Sequence, residues 1–160
     1  MDSPDQITLP PPDAATPDLG HLPHTLGFLL RLAQVEVFGL FHANMAGGLK
    51  PGEFSVLYVV GRNPGIRQGV LAEHLRIKRA HMTKLIRAFE QRGLVARRVP
   101  EDDRRAVELR LTDAGAALVA GRGASMRAQA DREIARLTPA EGAQLIRLLQ
   151  KFNGIDEEPR

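Results

Sequence analysis

"LAEHLRIKRAHMTKLIRAFEQRGLVARR", residues 71–98, decides the fold of this chain. Within it Met82, Leu85, Ile86 and Phe89 fall at i, i+3, i+4 and i+7, which puts four apolar side chains on one face of a helix predicted over Lys78–Arg92. Gly93 stands where that helix needs a left-handed C-terminal residue. Just upstream, Gln68–Leu75 reads as a shorter helix burying Val70, Leu71 and Leu75, and Arg76–Ile77 as a tight turn. At about 100° per residue, the face opposite the stripe carries Ala80, Lys84, Arg87 and Gln91. Thr83 and His81 flank that face, and Lys78 and Arg79 add charge at its N-terminal end. A short helix, a tight turn and a second helix with a small or basic outer face is a geometry that enters a DNA major groove, about 12 Å wide. On that reading Lys84 and Arg87 reach base edges or phosphates, while Thr83 and Ala80 permit close approach. The competing reading is a solvated charged face.

Downstream, "EDDRRAVELRLTDAG" (residues 101–115) continues a hairpin. Leu94–Val99 and Ala106–Leu111 alternate or nearly so, and Pro100–Arg105 forms the tip. By itself that tip reads either as a solvated turn of mixed charge or as a device that holds an arginine outward. Thr112 caps a long helix predicted from Asp113 toward Arg136, with Gly121 and Gly123 as weak points. Thr138, Pro139 and Glu141 then form a capping box, and the last helix runs to about Phe152 on Leu145, Ile146, Leu148 and Leu149.

Upstream, Pro51 and Glu53 start a short helix anchored by Phe54, Leu57 and Tyr58, and "GRNPG" ends it. Before it, "HTLGFLLRLAQVEVFGLFHANM" (residues 24–45) is helix-length and apolar on nearly all sides. Such a helix needs burial on more than one side, and a second subunit is its natural cover. Residues 1–20 hold five of the eleven prolines and four acids, and are expected to form an extended arm.

Composition narrows the function classes. There is no cysteine, which excludes disulfides, thiolate metal sites and a cysteine nucleophile. No nucleophile elbow, phosphate-cradling glycine loop or metal-ligand spacing occurs, so no enzyme, cofactor or metal site is expected. His21 and His24 are separated by a proline that spoils a common helical face. No run of about 20 apolar residues and no signal-like N-terminus is present, so no membrane span is expected and a cytoplasmic protein is the default. Net charge is +3 but unevenly placed: residues 62–110 carry thirteen basic and six acidic side chains, net +7. A basic middle between acidic and neutral ends suits a polyanion.

From about Leu49 to Gly115 the chain resembles the winged helix–turn–helix core of the MarR family of bacterial transcription regulators, and its flanking helices extend the likeness over roughly residues 21–153. The fold this implies is mainly α with a small β-hairpin wing: a winged helix–turn–helix lobe plus a helical dimerisation region. Its expected parts are a flexible arm (1–20), a dimerisation helix (21–48), the DNA-binding lobe (49–111), dimerisation helices (112–153) and a tail (154–160). The resemblance implies a homodimer on a palindromic operator of double-stranded DNA. It also implies that Asp103 braces Arg105, which enters the minor groove, while Arg104 meets phosphate or shares that role. Lys78, Arg76 and Lys50 depart from the Ser or Thr cap, the Gly and the Thr common at those places.

A further implication is a pocket for a small aromatic carboxylate or its acyl-CoA thioester. Arg31, Phe38, His42, Phe54, Tyr58 and Arg67 are the candidates to line it. Arg31, a lone base in an apolar helix, would pair with such a ligand, with Glu36 or with the other subunit. The expected function is therefore a repressor released by ligand. The rival is a constitutive or architectural DNA-binding protein. Arg105→Ala should weaken operator binding on the order of tens-fold or more while leaving the dimer intact. Wild-type affinity in a mobility-shift assay would remove the wing assignment.

Overall fold

The computed structural model describes residues 17–44, 48–100 and 106–155. They form seven α-helices and three short strands in the order α1 (Leu26–Asn44), α2 (Pro51–Arg62), β1 (Ile66–Arg67), α3 (Gln68–His74), α4 (Arg79–Gln91), β2 (Val95–Arg98), β3 (Glu108–Leu111), α5 (Asp113–Ala120), α6 (Gly123–Glu133) and α7 (Pro139–Asn153). A 3-10 turn at Leu22–His24 precedes α1. By packing the chain falls into two units, one ending at Val35 and the other starting at Glu36. The predicted wing tip, with Asp103, Arg104 and Arg105, lies outside the described residues, as do the first sixteen residues of the arm.

The core of the second unit is where the sequence stripes meet. Phe54, Val56, Leu57 and Val60 of α2 pack with Leu71 and Ala72 of α3, Met82, Ile86 and Phe89 of α4, and Val95 and Leu109 of the sheet. Fully burying such side chains stabilises by about 1.5–3 kcal/mol each, so α4 is held by its inner stripe and has no freedom to roll. Its polar face must then point outward.

The sheet is antiparallel in the order β1-β3-β2. Strand β3 pairs with β2 from Val95↔Leu111 to Arg98↔Glu108, and with β1 at Ile66↔Leu109 and Arg67↔Glu108. Strand β1 was not expected from the sequence. It is two residues long, too short to show alternation, and exists because Gly65 N–H donates to Leu109 O and Gln68 N–H to Val107 O, both at 2.8 Å. The hairpin strands are also shorter than predicted, at four residues each.

One close approach locks the hairpin to helix α5. The Thr112 N–H donates to Leu94 O (3.1 Å) and the Thr112 hydroxyl donates to Gly93 O. Thr112 also caps α5 by accepting from Gly115 N–H (3.1 Å). A Cβ at Gly115 would lie 2.1 Å from Leu94 O, so only glycine lets α5 start there. The long helix predicted from Asp113 toward Arg136 is in fact two helices. It breaks at Gly121–Arg122, where Arg122 N–H reaches back only three residues to Val119 O (3.1 Å). Glycine's weak helix preference at 121 and 123 is the cause.

Two helices keep apolar faces on the outside of the chain. No described residue of 17–35 is buried, and Leu26, Leu29 and Leu32 are 45–49% exposed. On α7 only Gly142 is buried, while Leu145, Ile146 and Leu148 are 44–48% exposed and Phe152 is 65% exposed. The first of these helices also tests the expectation of no membrane span. By length and composition alone, Leu26–Ala43 is long and apolar enough to cross a bilayer, with mean hydropathy 1.3. It holds Arg31 and Glu36, however, and one charge at a bilayer centre costs about 2.5–3.5 kcal/mol on insertion scales. Glu36 is already used, as the partner of Arg136 (Nη2–Oε1 3.1 Å).

The capping box at α7 forms as the sequence predicts. Glu141 Oε2 accepts from Thr138 N–H (2.8 Å) and from the Thr138 hydroxyl (2.7 Å), and Glu141 N–H donates to Thr138 Oγ1 (3.4 Å). The backbone bond first, then the hydroxyl, hold the Glu141 carboxyl below the usual carboxylate range. A depressed folded-state pKa adds stability above the ordinary glutamate value, about 4.3, and that stability is lost as pH falls through the depressed value. Glu141→Ala should therefore lower Tm at pH 7, with the deficit shrinking in melts run below about pH 4. Gly115→Ala should destabilise by about 1–3 kcal/mol through overpacking, whereas Gly123→Ala, which meets open space, should leave denaturant midpoints unchanged or raised.

Candidate nucleic-acid interface

The outward face of α4 is as the periodicity requires. Arg79, Ala80, His81, Lys84 and Arg87 are exposed, together with Lys78 just before the helix, and Met82, Ile86 and Phe89 beneath them are fully buried. Among the described residues no carboxylate pairs with Lys84 or Arg87. Two cations one helical turn apart are thus presented with no neutralising partner among the described residues.

Thr83 differs from the others. It is half-buried, its hydroxyl donates to Arg79 O (3.0 Å), and it accepts from Gln68 Nε2 (3.1 Å). The side chain expected to permit close approach is therefore spent on clamping the first residue of α3 to the first turn of α4. Gln68 was missed in the sequence because the pair is fifteen residues apart and leaves no periodic trace. Arg97, on β2, is likewise held by Glu90 of α4 at 3.3 Å, which fastens the hairpin to the second helix.

Arg67, Gln68, Arg79, Thr83, Ala106 and Val107 line a cleft of about 500 Å³. It lies between the start of α3, the start of α4 and the two residues that lead into β3. Ala106 and Val107, the described residues that lead into β3, thus stand beside the basic end of α4. Arg67, named as a pocket residue, is found here on the helix–turn–helix side.

The other pocket candidates fall elsewhere. Phe41 and Phe54 have ring centroids 6.4 Å apart, Phe54 and Tyr58 6.1 Å, and Phe41 and His42 6.1 Å. His42 Nδ1 lies 2.6 Å from Phe38 O, one turn earlier on α1. His42, Phe54 and Tyr58 are thus linked through Phe41 in one aromatic neighbourhood at the α1–α2 junction, with Phe54 buried and His42 and Tyr58 exposed; Phe38, also exposed, is joined to it through its backbone carbonyl. Arg31, in the first unit, is exposed. Among the described residues no three His, Asp or Glu side chains cluster as metal ligands.

A short helix, a tight turn, a second helix with a basic outer face and an antiparallel hairpin rooted beside it define a winged helix–turn–helix DNA-binding protein. Residues 47–106 match the family model for the MarR family. A transcriptional regulatory protein assigned to the hcr operon of Thauera aromatica is 32% identical over 151 residues, spanning 90% of this chain and 91% of that protein. The chain belongs to the MarR family: it is a transcriptional regulator of that type, not an enzyme. Among solved structures, the transcriptional repressor CouR bound to a 23-mer DNA duplex is 32% identical with a TM-score of 0.80, covering 87% of this chain and 99% of its own. BpsR of Bordetella bronchiseptica, whose DNA binding is regulated by 6-hydroxynicotinic acid, is 26% identical with a TM-score of 0.75, covering 80% and 98%.

The two exposed cations can be told apart by salt. If Lys84 meets phosphate, Lys84→Ala should weaken binding to all duplexes alike and reduce the slope of log K against log salt by about one. If Arg87 reads a base, Arg87→Ala should cost about 1–3 kcal/mol at one base pair and relax preference there. Fluorescence anisotropy on specific and scrambled duplexes over a salt series checks both.

Proposed function

We propose that the chain is a homodimeric repressor that binds a palindromic operator and is released by a small aromatic carboxylate or its CoA thioester. The observation that carries it is the outer face of α4, basic and unpaired among the described residues above a fully buried stripe. Lys78, Arg79, His81, Lys84 and Arg87 form the groove-facing set, Thr83 and Gln68 hold the two helices in register, and the wing adds Arg104 and Arg105 with Asp103 as the brace. Arg67, in the cleft with Arg79, suits the DNA side better than the ligand side. The exposed apolar faces of α1 and α7 suit a second copy, so residues 21–48 and 112–153 are assigned to dimerisation and 49–111 to DNA. A regulator of this kind works in the cytoplasm, where its DNA is.

Release needs a ligand that distinguishes two arrangements of the dimer. The aromatic neighbourhood of His42, Phe54 and Tyr58, with Phe38 one turn before His42, lies where the first dimerisation helix hands over to the lobe. A flat ring lodged there would favour the arrangement in which it fits; the candidate cation Arg31 belongs to the first unit. DNA affinity then falls by the same factor by which DNA weakens the ligand. The likeness to CouR on DNA and to BpsR, regulated by 6-hydroxynicotinic acid, supports both halves of this reading.

Hydroxybenzoates, hydroxynicotinates, hydroxycinnamates and their CoA thioesters form the test panel. A true effector should raise thermal stability, by about 2.7 kcal/mol at a hundred times its Kd, and lower operator affinity in anisotropy. Binding to DNA that no panel member alters would favour the constitutive reading, and absence of sequence-selective DNA binding would overturn both.

A further inference from the structure

Two helix ends of the second unit are tied together. Helix α3 closes with Ile77 N–H donating to Ala72 O (2.8 Å) and Arg76 N–H to Glu73 O (3.0 Å), with Arg76 at φ +51°. Helix α7 closes in the same pattern: Ile155 N–H donates to Gln150 O (2.9 Å) and Gly154 N–H to Lys151 O (3.1 Å), with Gly154 at φ +66°. Both are Schellman turns, whose left-handed position normally takes glycine. Among the described residues Arg76 is the only non-glycine at positive φ. A side chain kept in that region persists only where its surroundings hold it, and such sites cluster where function is at stake.

The guanidinium shows what holds it. Arg76 Nη2 donates to Asn153 O at 2.6 Å, and Nη1 donates to Asn153 Oδ1 at 3.2 Å. Asn153 is the last residue of α7, and its own Nδ2 donates back to Leu149 O (2.8 Å). The cation therefore sits on a helix C-terminus, where the helix dipole favours it, and its two donors match a planar acceptor pair. A strut thus joins the turn between α3 and α4 to the end of α7, seventy-seven residues later.

We infer that Arg76 is a positioning residue for DNA recognition: it fixes the angle of the α3–α4 pair against α7 and so sets the separation of the two α4 helices in a dimer. Operators are then selected by half-site spacing as well as by sequence. This rests on the reading of the chain as a dimeric operator-binding regulator. The rival role for the same side chain is a plain phosphate contact, which would carry no spacing information.

The test uses the full chain and palindromic duplexes selected by wild type. Half-site centres stand about one helical turn apart in the parent duplex, with one or two base pairs added or removed in the others. Wild type should show a sharp spacing optimum. Arg76→Gly and Asn153→Ala should each reduce that preference by about threefold or more, the scale of an exposed charged contact. The double variant should go no further. Arg76→Gly should melt no lower than wild type, because glycine relieves the positive φ. Arg76→Lys keeps the charge but not the fork, and should follow the other variants. An equal loss at every spacing, recovered by Arg76→Lys, would overturn the inference in favour of phosphate contact. An unchanged spacing profile in both Arg76→Gly and Asn153→Ala would overturn it outright. A wild type indifferent to half-site spacing would overturn the dimeric operator reading along with it. If Arg76→Gly does not fold, the Asn153→Ala profile decides the matter alone.

Discussion

The backbone of Gly93 and Leu94 is the point on which the DNA-binding lobe depends. Gly93 turns the chain at φ +68°, and Leu94 N–H closes the end of α4 on Phe89 O (2.9 Å). Both carbonyls then receive Thr112, and the Leu94 carbonyl is covered by Gly115. Four elements meet at two residues: the end of α4, both hairpin strands and the start of α5. The buried stripe of α4 sets the helix's roll, and this junction sets where the hairpin leaves it. A hairpin fixed in this way presents its strands without an ordering cost, since a mobile one would lose free energy on being held.

The lobe is well packed, whereas α1 and α7 leave their apolar sides exposed. Leaving so many half-exposed leucines, isoleucines and phenylalanines in water is unfavourable. The same residues that make α1 apolar enough for a bilayer make it suitable for a protein partner. Arg31 and Glu36 decide between the two, because a charge tolerated at a wet protein interface is costly in hydrocarbon.

The two helix–turn–helix elements are coupled by short polar contacts rather than by extra core. Gln68 to Thr83 fixes α3 on α4, Glu90 to Arg97 fixes α4 on β2, and Arg76 to Asn153 fixes the turn on α7. Each is exposed or half-exposed, so each adds little stability. Their effect is angular: they hold the helices and the hairpin at fixed angles to one another.

Much of this was legible in residues taken one stretch at a time. The i, i+3, i+4, i+7 spacing of Met82, Leu85, Ile86 and Phe89 settled which face of α4 turns inward, and so placed Lys84 and Arg87 outside. Thr112, Thr138 and Glu141 marked helix starts, because a cap is a local bond three residues long. The all-round apolarity of α1 foretold a helix that its own chain leaves largely uncovered. Other features were decided only in three dimensions. Strand β1 exists because Leu109 and Val107 pass beside it, the Gln68–Thr83 clamp and the Arg76–Asn153 strut join residues far apart in the chain, and the placing of Arg67 in the cleft beside Arg79 depends on that strand. Periodicity and capping report what a segment does with its own neighbours. Pairings across tens of residues leave no such pattern, since any of several partners would satisfy the same donor until the core has chosen one.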